Sequence, residues 1–449
     1  MLRNVARIVR RGGKGTPSNR NHLPYPTFSL LVGVLLTIVF MLKTHSTISA
    51  EHHETPHQAD WHQWRGPSRD GISLETGILK EWPETGPKEL WRIPLGDGFS
   101  GISISNGRAY TMYAKGEDEI AVCLDAQTGK EIWRNLDDWF YEESQGGNGP
   151  RSTPTIDGDK VYVLSAYGRL VALDASTGKQ LWDKDFTKGF SSQMPQWGFS
   201  MSPIIEGNLL LIEVGGTDGN SIVAFNKTTG ERVWGTDTAP SGYSSPVIIT
   251  ANGIRQAIFF ARNELLSTSP NDGSVYWRYP WDGGRNSDNR VTPVFISPDK
   301  IFISSRTGDA GVVIQIKGTV GDMHVEEVWR SHSMINGFST TVLHDGYLYG
   351  FSNTILTCID ASTGEEKWKT RGFGQGTVIY ADGHLIVLGD QGNLALVEAT
   401  PEEYREITKA QVLSGRCWTM PTLSDGKLYL RNHQEMVCLD LRAGDSSGN

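Results

Sequence analysis

Cysteine is scarce in this sequence, and its placement excludes one kind of redox site. The 449 residues contain four cysteines, of which no two are adjacent and none belongs to a C-x-x-C-H motif. The sequence therefore has no attachment site for a haem that would accept electrons within the chain. We expect buried strand cysteines, because a disulfide between separate strands would require a close approach of their Cα atoms. The four are Cys123, Cys358, Cys417 and Cys438.

The motifs of several enzyme classes and the charge of a nucleic-acid-binding protein are also lacking. The sequence contains no G-x-S-x-G, P-loop or H-E-x-x-H motif, so it gives no independent signal of a hydrolase or a nucleotide-binding protein. Its formal net charge of −9 predicts no basic surface for a nucleic acid. Neither class of function is expected.

Long apolar runs are absent except at residues 28–42, FSLLVGVLLTIVFML. Six basic residues precede this run, and residues 1–50 contain no acidic residue. Its fifteen residues are fewer than the ~20 that a membrane-spanning helix needs and are typical of an export signal. We predict that residues 1–50 are a cleaved signal peptide or a retained inner-membrane anchor, and that the rest is exported to the periplasm or cell envelope. A buried helix of a cytosolic protein is the third interpretation.

Residues 51–60, EHHETPHQAD, form a polar linker rich in histidine. These histidines are compatible with a metal site, because imidazole is a common metal ligand. Nothing in their spacing fixes a ligand geometry, so a solvated tether is the favoured interpretation.

The rest of the sequence repeats itself and is rich in glycine and tryptophan. The clearest unit is residues 152–182, STPTIDGDKVYVLSAYGRLVALDASTGKQLW, in which DG and LDAxTG predict turns and the apolar runs predict strands. Related units end at tryptophans 39 to 52 residues apart, a period typical of four-stranded propeller blades. We expect these tryptophans to pack between neighbouring blades. They are Trp91, Trp133, Trp182, Trp234, Trp277, Trp329 and Trp368.

The incomplete units at the two ends of the repeat region complement each other. The unit at residues 421–441 lacks its last strand, whereas residues 88–95, KELWRIPL, are a last strand without a blade. Pairing the two closes a ring and removes exposed strand edges. The sequence therefore predicts an all-β fold, an eight-bladed β-propeller of four-stranded antiparallel blades over residues 61–441, followed by a disordered tail at residues 442–449.

The repeat resembles the tryptophan-docking repeat of pyrroloquinoline quinone (PQQ)-like propellers, the quinoprotein alcohol dehydrogenase-like superfamily. Residues 61–73, WHQWRGPSRDGIS, followed by KELWRIPLGDGFS, are similar to the opening of exported PQQ-like repeat proteins of bacterial envelopes. The resemblance covers residues 61–441. It is specific for the fold and weak for the function, because function depends on the loops that the scaffold carries.

Two groups of relatives imply different functions. Quinoprotein dehydrogenases hold PQQ with Ca²⁺ over the central channel, stack it on a tryptophan and commonly cover it with a disulfide between adjacent cysteines, which this sequence lacks. BamB-type outer-membrane assembly lipoproteins are non-catalytic propellers that bind partner proteins, but no cysteine follows the apolar run here to carry a lipid. We expect a scaffold that binds an envelope protein or polymer without a cofactor. The alternative is a PQQ-dependent dehydrogenase with PQQ and Ca²⁺.

The loops that enter the first strand of each blade predict a site at the central channel. They place aromatic and arginine side chains in a ring, which offers stacking faces and forked donors to a planar anion such as PQQ. Alternatively, the aromatic side chains plug the channel and the arginines pair with Asp97, Asn148, Asp288 or Asn336. The predicted cofactor-binding residues are Arg151, Tyr243, Arg290, Arg416 and Trp418. The other ring positions are Phe99, Phe199, Phe338 and Gln375.

Three longer inserts, at residues 135–148, 186–197 and 279–289, decorate one face. Their aromatic side chains mark partner contacts or cover the edges of neighbouring blades. They are Trp139, Phe140, Tyr141, Trp197 and Trp281. An acidic group in the first insert offers oxygen ligands for Ca²⁺, but its spacing matches no calcium loop, so we favour a solvated loop and predict no metal site. The group is Asp137, Asp138, Glu142 and Glu143.

Overall fold

The computed structural model describes residues 60–137, 141–236, 239–283, 288–308 and 310–443. Within these ranges the chain forms thirty-two strands in eight four-stranded antiparallel sheets and one short helix, α1 (Phe186–Gly189). Each sheet is one blade, and in seven of the eight the strands lie side by side in chain order. The predicted eight-bladed β-propeller is confirmed.

The first strand of the chain, β1 (Glu89–Pro94), belongs to the last blade. Blade 1 consists of β2 (Ser103–Ser105), β3 (Arg108–Lys115), β4 (Asp118–Asp125) and β5 (Glu131–Asp137). Blade 2 consists of β6 (Thr155–Asp157), β7 (Lys160–Leu164), β8 (Arg169–Asp174) and β9 (Gln180–Asp185). Blade 3 consists of β10 (Ile204–Glu206), β11 (Leu209–Glu213), β12 (Ile222–Asn226) and β13 (Arg232–Thr236). Blade 4 consists of β14 (Val247–Ala251), β15 (Ile254–Phe260), β16 (Glu264–Thr268) and β17 (Val275–Pro280).

The second half of the ring repeats this order. Blade 5 consists of β18 (Val294–Ile296), β19 (Lys300–Ser305), β20 (Ala310–Lys317) and β21 (His324–Ser331). Blade 6 consists of β22 (Val342–His344), β23 (Tyr347–Ser352), β24 (Ile355–Asp360) and β25 (Glu366–Thr370). Blade 7 consists of β26 (Thr377–Ala381), β27 (His384–Leu388), β28 (Asn393–Glu398) and β29 (Glu406–Gln411). Blade 8 consists of β30 (Thr422–Ser424), β31 (Lys427–Arg431), β32 (Glu435–Asp440) and β1.

The ring closes as the sequence predicts. Strand β1 pairs antiparallel with β32, so that Trp91 lies opposite Cys438 and Pro94 opposite Glu435. The strand from the start of the repeat region thereby completes the blade at its end. This pairing removes the free edge that β32 would otherwise expose.

The closing tryptophans join neighbouring blades, as expected. The Nε1 of Trp133 donates to the carbonyl oxygen of Ala175, in a turn of the next blade, at 3.0 Å. A Cβ atom added to Gly178, which has φ +72°, would lie 2.5 Å from the Trp133 ring, so only glycine fits there. Trp277 differs, because it donates to Gln256 of its own blade at 2.9 Å. The bond to the next blade is also made by Trp91, Trp182, Trp234, Trp329 and Trp368.

The four cysteines are free thiols buried in the fold. Burial raises the pKa of Cys123 to about 11 and those of the other three to about 12, because desolvation penalises the thiolate. The expectation of buried, unbridged cysteines is confirmed. Thiols of this kind are poor nucleophiles and poor metal ligands at neutral pH.

The predicted export segment at residues 1–50, and the linker apart from Asp60, lie outside the described residues. Within the ranges that are described, no helix is long and apolar enough to cross a membrane. The described part continues past the predicted boundary at Leu441, since Arg442 forms a bridge with Ile78. Residues 444–449 of the predicted tail lie outside it.

Candidate functional site

A segment that precedes the blades runs through the centre of the propeller. We call residues 60–79 the central segment. The first strand of each blade begins at one end of the ring, which we call the loop face. We call the opposite end the hairpin face. The segment enters at the hairpin face, where Trp61 N donates to Ile104 O at 3.0 Å. It returns to the same face, where Leu79 N donates to Leu441 O at 2.6 Å. Between these points it bonds to residues of the remaining blades: Ile156, Ser202, Pro246, Thr292, Thr340 and Tyr380.

Arg69 fixes the central segment to blades 3 and 4. Its side chain is buried, and its guanidinium donates to the carbonyl oxygens of Ser202 at 3.1 Å, Pro246 at 3.0 Å and Pro203. It also donates to the side chain of Gln63 at 2.9 Å. Burial lowers the pKa of Arg69 to about 9, because desolvation penalises the cation. The carbonyl dipoles compensate for the water that this cation loses.

Arg65 plays the same part toward blade 6. It is buried and donates to the carbonyl oxygens of Thr340 at 3.0 Å and Thr341 at 2.8 Å. It also bonds to the backbone of Asp70 within the central segment at 2.6 Å. Burial lowers its pKa to about 10. Arg65 and Arg69 therefore bind the central segment to the residues that precede the first strands of blades 3, 4 and 6, and the segment closes the channel.

Above the central segment, the loop face contains a cup of about 270 Å³. Six half-buried aromatic side chains, two arginines and several small polar residues line it, and none of these lining residues is Asp, Glu, His, Lys or Cys. The floor includes Trp64 of the central segment, whose Nε1 donates to Thr292 at 2.9 Å. The aromatic lining residues are Trp64, Phe99, Trp197, Tyr243, Phe338 and Trp418.

The aromatic rings form a nearly continuous wall. Trp418 stacks on Phe338, with centroids 5.0 Å apart and planes at 22°, and it contacts Phe99 at 5.4 Å. Trp197 packs against Tyr243 at 5.5 Å, and its backbone N–H donates to the Tyr243 hydroxyl at 3.3 Å. Burial raises the pKa of Tyr243, so this hydroxyl is neutral at physiological pH.

Arg290 lies between two of these rings. Its guanidinium carbon is 4.5 Å from the centroids of both Trp197 and Phe338. One Nη donates to the carboxylate of Asp288. The two rings and Asp288 hold the guanidinium in place, and the bond to Asp288 uses one of its five N–H groups.

Arg151 is held in a similar way on another side of the cup. Its guanidinium carbon lies 5.0 Å from the Tyr141 ring and 5.8 Å from Phe99. It donates to the carbonyl oxygens of Gly149 at 2.5 Å and Gly147 at 2.6 Å, which occupy two of its five N–H groups. Burial lowers the pKa of Arg151 and of Arg290, but an arginine remains a cation at neutral pH.

The structure brings four of the five predicted site residues together in the cup. They are Arg151, Tyr243, Arg290 and Trp418. Arg416 instead lines a neighbouring cavity of about 410 Å³, where its guanidinium lies 4.5 Å from the Trp418 ring and donates to Gly146 O at 2.8 Å. Of the expected arginine partners, Asp288 pairs with Arg290, whereas Arg151 and Arg416 bind backbone carbonyls.

Two ring positions do not line the cup. Phe199 is buried against Phe186 of α1, with centroids 5.5 Å apart, and Gln375 bonds through its backbone N–H to Asp390 at 2.9 Å. The expected plug of aromatic side chains is also different, because Phe99, Phe338 and the others surround an open cup. The central segment, which the sequence analysis did not assign to the channel, fills the space below.

The inserts contribute one wall of the cup and otherwise cover the blades. Trp197 lines the cup, whereas Tyr141 and Trp281 are buried. The carboxylate of Glu143 accepts the backbone N–H groups of Gln145 and Gly146, which fixes its own loop. In the described part of the chain no group of three or more His, Cys, Asp or Glu residues could hold a metal ion. Trp139, Phe140 and Asp138 lie outside the described residues, and the side chain of Asp137 is not described.

The cup fits only part of a calcium-bound quinone. Aromatic faces and the edges of Arg151 and Arg290 suit a planar anion. Ca²⁺ takes six to eight oxygen ligands, usually including carboxylates, and no carboxylate lines the cup. The residues that line the cup therefore do not fit PQQ together with its metal ion, and the carboxylates of Asp97 and Glu143 belong to the lining of the neighbouring cavity.

Comparison with known proteins assigns the chain to a family. Residues 116–370 match the family model described as outer membrane protein assembly factor BamB, and the chain belongs to this family. It is 26% identical over 288 residues to the outer membrane protein assembly factor BamB of Moranella endobia, a match that covers 59% of this chain and 68% of the relative.

Two further similarities mark the breadth of the superfamily. The crystal structure of BamB from Moraxella catarrhalis superposes with a TM-score of 0.57 at 15% identity, over 79% of this chain and 100% of that one, which shows the fold alone. The quinoprotein alcohol dehydrogenase PedH of Pseudomonas putida is 29% identical over 149 residues, or 31% of this chain and 24% of that enzyme. Both groups of expected relatives are thereby found.

Proposed function

We propose that this chain is an exported scaffold of the bacterial envelope, which binds an envelope protein or polymer and catalyses no reaction itself. The observation that carries this proposal is the chemistry of the cup, which combines arginines and aromatic rings without a carboxylate, histidine or cysteine. Such a lining can bind, but its aliphatic hydroxyl groups, those of Ser200, Ser245 and Thr419, have no histidine, lysine or carboxylate beside them in the lining to act as a general base. Membership of the BamB family supports the same function, with an outer-membrane assembly protein as the partner.

The test combines a binding measurement with an activity measurement on the full chain. We expect defined outer-membrane assembly proteins of the native host to co-purify with it after cross-linking. We also expect no oxidation of alcohols by an artificial electron acceptor after titration with PQQ and Ca²⁺. Turnover that depends on PQQ would overturn the scaffold proposal.

The second candidate function is a PQQ-dependent dehydrogenase. The parallel stack of Trp418 on Phe338 beside Arg290 favours it, because these groups suit the face and the edge of a planar anion. Arg151, Tyr243 and Arg416 complete the residues proposed for the quinone. The absence of carboxylates from the lining argues against it, and the titration described above decides between the two functions.

A further inference from the structure

We infer that the cup receives a short segment of a partner protein that presents one aromatic side chain beside an aspartate or glutamate. This inference rests on the proposed scaffold function and names the chemistry of the partner. It follows from the size of the cup, the sign of its charge and the way its arginines are held.

The size of the cup suits a side chain or two. Sites that bury a whole organic ligand usually enclose about 300 to 1,000 Å³. The cup, at about 270 Å³, is smaller than this range. A single large side chain with its neighbour fills such a space, while the rest of the partner stays outside on the loop face.

The walls of the cup favour an aromatic occupant. Trp64, Trp197 and Trp418 keep part of their surface exposed, since all three line the cup and are only half-buried. An inserted ring gains contact with this exposed aromatic surface in stacked or edge-to-face geometry, which stabilises the complex beyond the burial of area alone. An aromatic side chain also costs little conformational entropy on binding, because it has few rotatable bonds.

The charge of the cup favours an acid next to that ring. Two arginines line it without a lining carboxylate, so the cup itself is cationic. Asp288, which pairs with Arg290, compensates one of the two charges. The hydrogen bonds of Arg151, in contrast, go to carbonyl oxygens, and Glu143 and Glu119 act on its charge without a hydrogen bond to it. A carboxylate on the partner would complete the donor set of Arg151 with charge-assisted bonds.

The arginines are positioned before any partner arrives. Arg290 is held between Trp197 and Phe338, and Arg151 is tied to two backbone carbonyls. A preformed donor loses little entropy on binding, so even a short peptide should be recognised. Both guanidiniums line the cup with a positive charge and N–H donors only, which selects a hydrogen-bond acceptor over a second cation.

The direct test is calorimetric titration of the full chain with the capped peptide Gly-Ser-Trp-Asp-Gly-Ser. We expect binding that weakens at least tenfold when Asn replaces the Asp of the peptide or when Ala replaces its Trp. We expect the same loss in the protein variants Arg151→Gln and Arg290→Gln. Equal binding of the Asp and Asn peptides, or no binding at millimolar peptide, would overturn the inference.

A matched control separates the cup from general charge. Arg255→Gln removes an arginine near the hairpin face, where it pairs with Glu206 at 2.8 Å, and should leave peptide binding unchanged. An equal loss in this variant would show non-specific attraction and would overturn the inference. Circular dichroism and the melting temperature of each variant show whether the fold is kept.

A second measurement uses the partner itself. A photo-cross-linking residue in place of Gln145, in the cup, should capture a segment of the co-purified assembly protein that contains an acid beside an aromatic residue. The same residue in place of the exposed Asp159, on the hairpin face, should not capture it.

If assembly proteins co-purify but cross-link only from Asp159, the inference fails while the proposed function stands. PQQ-dependent turnover would defeat the proposed function instead.

Discussion

The arginines inside the channel and those around the cup differ in how completely their N–H groups are used. Arg69 donates to three carbonyl oxygens and a side-chain amide, and it is buried. Arg151 and Arg290 are held by aromatic rings and one or two acceptors, and their edges reach the cup. An arginine that uses at least four of its five N–H groups within the fold, as Arg69 does, serves the structure, whereas an arginine that uses one or two serves binding. Substitutions in the two regions should therefore have opposite consequences for stability and recognition.

The largest loss of stability should follow Arg69→Met. The change removes the donor from the buried carbonyl oxygens of Ser202 and Pro246, and each unpaired group costs about 1–3 kcal/mol. The carbonyl oxygen of Pro203 keeps the hydrogen bond from Thr155 Oγ1 at 2.8 Å. We expect the free energy of unfolding to fall by about 3–5 kcal/mol, measured by urea denaturation. A loss below about 1 kcal/mol would mean that the central segment is peripheral to stability.

The next largest effect should come from blade-to-blade packing, which tests whether stability is confined to the channel. Gly178→Ala forces a left-handed alanine against the Trp133 ring, 2.5 Å from the added Cβ. We expect a loss of about 2–4 kcal/mol in the free energy of unfolding. Gly158→Ala is the matched control, since φ is +58° and nothing lies within 4 Å of the added Cβ. It should lose only about 1 kcal/mol, and equal losses would contradict the packing role of Trp133.

In the cup, Arg151→Gln should affect stability far less. Water can replace Arg151 at the carbonyl oxygen of Gly147, which is half-buried, so only the buried carbonyl of Gly149 loses this donor without replacement. We expect a loss of about 1 kcal/mol or less in thermal unfolding, together with the loss of peptide binding described above. If Arg151→Gln lowers the free energy of unfolding as much as Arg69→Met, the arginines of the cup and of the channel do not differ in their contribution to stability.

The smallest effect should appear at acid pH, in the turns far from both regions. Hydrogen bonds from the hydroxyls of Ser176 and Thr177 lower the pKa of Asp174 below its usual 3.8. The folded state therefore favours the carboxylate, and this stabilisation is complete above about pH 4 and is lost as the pH falls through the folded pKa. When the pH is lowered from 5 to 2.5, the melting temperature of Asp174→Asn should fall less than that of the parent chain. Equal falls in the melting temperatures of the variant and the parent chain would contradict this role of the Asp174 carboxylate.

The fold could be predicted because its signals are repeated and local. The turn residues around Asp174 recur in most blades. The strand that contains Trp91 has no blade of its own in the sequence, and only the blade at the end of the repeat region lacks a strand. A ring of equivalent units also determines which loops converge at the centre. This symmetry explains why the sequence could place Arg151, Tyr243, Arg290 and Trp418 together at one end of the channel.

What could not be predicted depends on contacts from segments outside the repeat. Phe99 and Phe199 occupy the same G-F-S motif, but only Phe99 lines the cup, because α1 brings Phe186 against Phe199. The sequence gives no sign of this local neighbour. Arg65 and Arg69 were missed for a related reason, although two tryptophans and two arginines in residues 61–69, outside any repeat, were a signal of a buried segment.

The course of the central segment determines how the molecule can be attached to a surface. The described chain starts at Asp60, which accepts a bond from Ser105 at 2.9 Å beside the first hairpin, and it reaches Ala443, whose N–H donates to Gly77 O at 3.1 Å. Both ends therefore lie on the hairpin face. An affinity tag joined directly before residue 60 or directly after residue 443 would hold the ring by that side on a sensor chip, with the cup turned toward the solution.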